Sequence, residues 1–252
     1  VIVALGLNGL RQDPRAGLMA LLQKAGVAID TVDASTVGFT IGPRLNALGR
    51  LADASEGVKL LLTEDDEEAQ QLAVETEALN TERQRLVETV TEAAMSQVEK
   101  LEDDPVLVVA GEGWHEGVLG IVAAKLVEIS GKPVLVLNQT EDLLKGSGRS
   151  VPQFDLFAAL NQHHDLFSTF GGHAGAAGMS FSVDQLNQIR QALAQEASKQ
   201  HLATAAQTTL QLADTITPKD FNRQNFDALK VLAPFGAGNP EPLFAVNLQG
   251  VA

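Results

Sequence analysis

Asp103-Asp104-Pro105-Val106-Leu107-Val108-Val109-Ala110, then Glu112-Gly113-Trp114-His115-Glu116-Gly117, a helical stretch from about Val118 to Ile129, and Pro133-Val134-Leu135-Val136-Leu137 decide how this chain folds. Both apolar runs have strand length and neither alternates with polar residues. Unbroken apolar strands need cover on both faces, so the segment predicts a parallel strand–helix–strand unit. Ligands of such units sit at the carboxyl ends of the strands. The turn from Glu112 to Gly117, with His115 in it, is therefore a site candidate.

Upstream, Glu64 to Leu101 contains neither Gly nor Pro. Leu72, Leu79, Leu86 and Ala93 recur every seven residues, and Ala69, Thr76 and Val90 widen the stripe. The pattern predicts a helix of about 55 Å at ~1.5 Å per residue. Thr63 is its expected N-cap, with Asp65, Asp66, Glu67 and Glu68 in the first turns, where the helix dipole favours negative charge. Such a length predicts a connection between two domains. Residues 1–60 read as short helices broken by turns. Downstream of the second strand come a polar loop at Lys145–Ser150, a helix from about Asp155 to His163 and a glycine cluster at 171–178. A strand at Met179–Val183 and a helix from about Asp184 to Gln200 follow. Thr209–Ala213, a helix near Asn222–Val231 and Leu243–Leu248 predict the opening of a further β-rich module.

Of the 252 residues 45% are apolar, enough for a buried core, and none is Cys. That removes disulfides and thiolate metal sites. No stretch has the apolar length a membrane span needs, and Val1–Leu10 lacks the basic flank and cleavage site of a signal peptide. A cytoplasmic protein is the expectation. The missing initiator Met and the abrupt end at Gly250-Val251-Ala252 lead us to expect an internal piece of a longer protein. The net charge of −14 would discourage nucleic acid if it were evenly spread. It is not: residues 64–104 hold 14 acidic residues against Arg83, Arg85 and Lys100, which leaves −3 for all the rest.

Four further segments carry candidate chemistry. In Phe170-Gly171-Gly172-His173-Ala174-Gly175-Ala176-Ala177-Gly178, small residues let backbone N–H groups approach an anion, and His173 can donate to it. The same residues also suit a tight turn with an incidental His. Lys145-Gly146-Ser147-Gly148-Arg149-Ser150 joins a hydroxyl, two cations and a permissive backbone, and Arg149 offers a fork that matches phosphate oxygens; a solvated hairpin turn is the other reading. Trp114-His115 is either a stacking face beside a donor or a Trp covering the core. Gly42-Pro43-Arg44-Leu45-Asn46-Ala47-Leu48-Gly49-Arg50 brings Arg44, Asn46 and Arg50 into one short span. His163-His164-Asp165 has no supporting ligand at useful spacing and reads as the end of a helix.

In this order the segments resemble the RecJ family of the DHH phosphoesterase superfamily. The resemblance rests on Gly42–Arg50, Trp114–Ala124, Gly146–Asp155 and Gly171–Gly178, with Pro234-Phe235-Gly236-Ala237-Gly238-Asn239-Pro240-Glu241-Pro242 matching a segment of its OB-fold domain. It implies an α/β fold: a long inter-domain helix leading into a DHH-associated domain with a mainly parallel sheet, then the start of an OB-like module. Residues 1–60 would end the catalytic domain, 61–104 form the connecting helix, 105–204 the DHH-associated domain and 205–252 the OB region. The implied activity is metal-dependent 5′-to-3′ hydrolysis of single-stranded DNA in repair and recombination. A single-strand-binding protein and a helicase are implied partners, and no membrane. The family's Asp- and His-rich metal motifs are not in this sequence. Manganese or magnesium is thus expected in a full-length parent and not on these residues. His173 would serve at the scissile phosphate, with Arg44, Asn46, Arg50, His115, Ser147, Arg149, Gly171 and Gly172 binding substrate. A purely binding module, and an oligoribonuclease or nucleotide phosphoesterase of the superfamily, are the alternatives.

Overall fold

Turn residues cut the first sixty positions into short helices, and the computed structural model, which describes residues 1–202 and 210–246, shows what they enclose. They are α1 (Ile2–Gln12), α2 (Ala16–Lys24), α3 (Ala34–Thr36), α4 (Gly42–Leu51) and α5 (Ser55–Leu62), with a π-helical turn, Val37–Ile41, running directly from α3 into α4. Pro43 accounts for the wide turn. It has no N–H to give the Phe39 carbonyl four residues back, and its ring would crowd that carbonyl. The core of this unit holds Leu21, Leu22, Val32, Ile41 and Leu60 together with Ala69, Leu72 and Ala73 from α6 (Asp66–Val98).

Helix α6 has 33 residues, about 50 Å at ~1.5 Å each. Its first turn is closed by Asp65 rather than the expected Thr63. The Asp65 carboxylate accepts the N–H groups of Glu67 at 2.8 Å and Glu68 at 3.0 Å, whereas the Thr63 hydroxyl donates to the Glu68 carboxylate. A carboxylate takes two orphan donors and adds charge at the positive end of the dipole. The buried stripe also leaves the heptad: Ala94 is buried while Ala93 is exposed. A period of 3.6 drifts about 20° per seven residues, so after three heptads the inner face has moved by one position. The chain divides into two units inside this helix, residues 1–79 with 208–252 and residues 80–207.

The second unit opens with β1 (Leu107–Glu112), α7 (Glu116–Ser130) and β2 (Val134–Gln139), paired in parallel with Leu107 against Val134. Then follow β3 (Leu143–Arg149), α8 (Leu156–Gln162), β4 (Thr169–His173), β5 (Ala176–Ser182) and α9 (Leu186–Lys199). The sheet order is β1-β2-β3-β5-β4, and the last three pairings are antiparallel. The sheet is thus mixed rather than mainly parallel. Helix α7 joins the adjacent parallel pair β1 and β2, and α8 carries the chain from β3 past β5 to β4; β2–β3 and β4–β5 turn back through three and two residues, which fit only antiparallel hairpins. Val134 and Val136 pack with Val118, Val122 and Leu126 on the α7 face, while Leu135, Leu137, Leu144 and Phe181 meet Leu156, Leu160 and Leu193 on the other. The outer edge of β1 is covered by side chains. Gln97 both donates to and accepts from the Ala110 backbone, at 2.7 and 3.2 Å, and Arg190 donates to the Val108 carbonyl at 2.8 Å.

His163 ends α8 as expected, with its Nε2 3.1 Å from the buried Glu196 carboxylate, to which Lys199 donates at 2.6 Å. The Lys199 hydrogen bond, with help from His163, holds Glu196 below the usual carboxylate range. The C-terminal segment adds β6 (Asp214–Ile216), α10 (Arg223–Lys230) and β7 (Phe244–Val246), with β6 and β7 paired in parallel. The strand expected at Thr209–Ala213 begins only at Asp214, since Leu210 to Ala213 are not in a strand and Thr209 lies outside the described residues; so do Asn247 and Leu248 of the other expected strand. Among the described residues an OB-like module extends no further than this two-stranded sheet.

This packing can be tested at a glycine and at a carboxylate. A Cβ on Gly146 would stand 2.0 Å from the Val136 carbonyl oxygen, whereas one on Gly178 meets nothing nearer than 3.9 Å. Gly146→Ala is therefore expected to cost about 1–3 kcal/mol and Gly178→Ala little, read from urea unfolding by the fluorescence of the single Trp. Glu196 contributes stability that is present above the ordinary carboxylate range and is lost as pH falls through its lowered folded value. Between about pH 5 and pH 3 the wild type should lose more stability than Glu196→Gln; parallel pH profiles would contradict this.

Candidate nucleic-acid interface

Register decides which side chains share a face. Arg149 pairs with Ala176 and Ala176 with His173, so these three form one row across β3, β5 and β4. The next row is Ser147, Gly178 and Gly171, and the one after it Lys145, Ser180 and Thr169. Successive residues alternate faces, so all three rows lie on the α7 side of the sheet. At about 4.8 Å between strands, the Arg149 and His173 backbones are roughly 10 Å apart, with only an Ala between them. Ser147 and Gly171 likewise flank a bare Gly178. The two rows form a shallow trough whose floor has almost no side chains and whose rims carry a hydroxyl, a guanidinium and an imidazole.

The β4–β5 turn is clamped in place. The Gly175 carbonyl accepts the Ser150 N–H and the Ala174 carbonyl accepts the Leu156 N–H, both at 3.0 Å. Below it, Phe170 contacts Phe157 and Phe167 with ring centroids 5.8 and 5.6 Å apart, which anchors β4 on the α8 side. Gly172 has φ +154°, and a Cβ there would stand 2.2 Å from the Ala176 carbonyl oxygen. Its place is to let β4 approach β5, and it alternates away from the trough; Gly171 faces open space.

His173 and His115 use the same device. In each, Nδ1 accepts the N–H of the residue two further on, Gly175 at 3.2 Å and Gly117 at 3.1 Å. An accepting Nδ1 leaves the neutral ring its proton on Nε2, so both exposed imidazoles offer a donor. His115 caps α7 beside Glu116, which pairs with Lys145 at 2.7 Å. Trp114 is only 8% exposed and packs over the α7 core, its indole against Gly111, so it covers the core and offers no stacking face.

Arg149 donates to the Gly148 carbonyl at 2.8 Å, and its guanidinium lies along α7 at Gly120, where a Cβ would come within 2.8 Å of Nη2. Thus a glycine from the Trp114–Ala124 segment makes room for the arginine of the Gly146–Asp155 segment.

In the first unit Arg44 is turned away from solvent, with a side chain 15% exposed. Its Nε and Nη2 meet the Glu77 carboxylate at 2.5 and 3.2 Å, and Nη1 donates to the Thr40 carbonyl at 2.9 Å. Asn46 and Arg50, one helical turn apart, are exposed on another face of α4. Lys145, Thr169 and Ser180 complete the trough's rows without being among the expected site residues; Thr169 and Ser180 hydroxyls lie 2.7 Å apart. For Thr169 and Ser180 the only signal is the strand pairing itself. Among the described residues no three His, Cys, Asp or Glu come together to hold a metal ion, and no helix is long and apolar enough to cross a membrane.

Residues 103–199 match the DHHA1 domain, which defines the class of the α/β unit. The chain is 39% identical over 246 residues to the single-stranded-DNA-specific exonuclease RecJ of Bacillus subtilis, covering 96% of the chain and 31% of that protein. It is 35% identical to RecJ of Escherichia coli, covering 91% and 42%. The crystal structure of RecJ from Thermus thermophilus in complex with Mn2+ superposes with a TM-score of 0.85 at 31% identity, over 97% of this chain and 36% of that one; a second structure of that protein is described with Mg2+. Over the length it spans, the chain is similar to these RecJ proteins. It spans about a third to two fifths of the length of these relatives.

The Gly120–Arg149 contact predicts that Gly120→Ala keeps the fold, since alanine suits a helix interior better than glycine. The added methyl must displace the guanidinium, so the Arg149 Nε–H resonance should shift while the β-strand amides stay in place. An unmoved resonance would mean that Gly120 does not set the position of Arg149.

Proposed function

We propose that this chain is the strand-gripping part of a single-stranded-DNA-specific exonuclease that hydrolyses phosphodiester bonds 5′ to 3′ in repair and recombination. The observation that carries the reading is the pair of register rows, Arg149–Ala176–His173 and Ser147–Gly178–Gly171, on the α7 face of the sheet, with Gly171, His173 and Gly178 exposed. Supporting it is the likeness to proteins described as single-stranded-DNA-specific exonucleases. A strand laid along the trough meets Arg149 and Ser147 at its 5′-terminal phosphate. The guanidinium matches two phosphate oxygens at once, and the hydroxyl adds a third bond. The glycines let the backbone come close without a side chain between. His173, with its Nε2–H, donates to the scissile phosphate where negative charge grows, and an interaction that strengthens in the transition state acts on turnover more than on affinity. His115 adds a donor on the same unit. In the helical unit Asn46 and Arg50 are DNA contacts of their own, and Arg44 acts through Glu77 as a positioning residue for α4.

For the whole protein the reading includes manganese or magnesium, which would activate the attacking water. The described residues do not supply the donor set for such an ion, so this chain's own part is binding, orientation and donation of a hydrogen bond. Work in the cytoplasm beside a single-strand-binding protein and a helicase belongs to the same proposal.

The test uses Arg149→Lys in the full-length protein, with matched single strands carrying or lacking a 5′ phosphate. An ammonium keeps the charge and loses the fork. Degradation of the phosphorylated strand should fall by at least tenfold, as losing one charged hydrogen bond of about 1.5–3 kcal/mol implies, and that of the 5′-hydroxyl strand by much less. Equal losses on the two strands would remove Arg149 from the 5′ end.

A further inference from the structure

Phe39 is 84% exposed, at the middle of the π-helical turn Val37–Ile41. A lone exposed aromatic needs no explanation. This one has a built support. The turn's Thr40 carbonyl is taken by Arg44 Nη1 at 2.9 Å, and the rest of the Arg44 fork is held by the Glu77 carboxylate. The wide turn is thereby fixed to α6, and π-turns of this kind gather at functional positions. Phe39 also has aligned neighbours. Positions 39, 43, 46 and 50 follow one another at helical spacing, so Phe39, Pro43, Asn46 and Arg50 form a stripe along one side of the helical stretch 34–51. Over that stripe, about 16 Å at ~1.5 Å per residue, stand an aromatic ring, an amide and a guanidinium. Asn46 and Arg50 are exposed with it.

We infer that Phe39 is a stacking platform for an unpaired base of single-stranded DNA, with Arg50 on the backbone phosphates of the same strand. The inference rests on the exonuclease reading and deepens it, because the stacking ring is a contact of its own on the helical unit. A phenyl face accepts any base, while a neighbouring guanidinium holds the charged backbone. That combination is how sequence-independent single-strand binding is built. A base still paired and stacked within a duplex has no free face to offer, so the contact selects for single strands.

The experiment compares binding of a fluorescent single strand by the full-length wild type, Phe39→Ala, Phe39→Leu, Phe39→Trp and Arg149→Ala, together with a strand of the same length made wholly of abasic sites. Phe39→Ala should bind the normal strand about tenfold more weakly. Phe39→Leu should be no better than Ala, and Phe39→Trp should bind at least as well as wild type. On the abasic strand, wild type and Phe39→Ala should be equal. Rescue by Leu, a loss that persists on the abasic strand, or a fall of several degrees in the Tm of Phe39→Ala would overturn the inference, the last because it would mean protein covers the ring. If wild type binds and Arg149→Ala weakens it while Phe39→Ala does not, the stacking contact falls and the exonuclease reading stands. If wild type binds no single strand, both fall.

Discussion

Close approach of β2 to β3 and of β4 to β5 is the constraint on which the interface depends. Gly146 lies against the Val136 carbonyl and Gly172 against the Ala176 carbonyl, at separations no side chain would tolerate. With the strands this near, their register is set. Register in turn places Arg149 level with His173 and Ser147 level with Gly171. A slip of one residue would send all four to the apolar side, against Leu156 and Phe181. The same pairing that builds the core therefore composes the polar face.

A second constraint acts in the helical unit and is electrostatic. Pro43 leaves the Phe39 carbonyl without its helical donor and widens the turn, and Arg44 holds that turn through the Thr40 carbonyl while its fork is neutralised by Glu77. A residue type suited to phosphate is here occupied by protein. Its neighbours Asn46 and Arg50 face outward, and what Arg44 supplies is the rigidity of the helix that carries them.

The strand–helix–strand unit was legible because its strands are continuous apolar runs, and the long helix because nothing in it breaks the period. What escaped depended on partners distant in sequence. Lys145-Gly146-Ser147-Gly148-Arg149 reads as a polar loop, since two glycines and three polar residues carry no apolar signal. Yet its strict alternation, polar on one side and glycine on the other, is a strand pattern, and the apolar cover comes from Leu135 and Leu156. His173, Arg149 and Ser147 were visible as residue types suited to anions, but that they stand in adjacent rows was not. Thr169 and Ser180 had no local sign at all. Arg44 looked like a ligand because Glu77, 33 residues on, cannot be assigned to it from spacing.

The cover on β1 has a meaning for how the molecule behaves in company. An edge strand with free N–H and C=O groups is a template on which another chain can add a strand, the first step of β-mediated aggregation. Gln97 occupies both groups of Ala110, acting as a one-residue substitute for a neighbouring strand, and Arg190 occupies the carbonyl of Val108. These outward-facing groups are thereby withdrawn from any competitor, so two side chains from helices do for this edge what barrel closure does for other sheets.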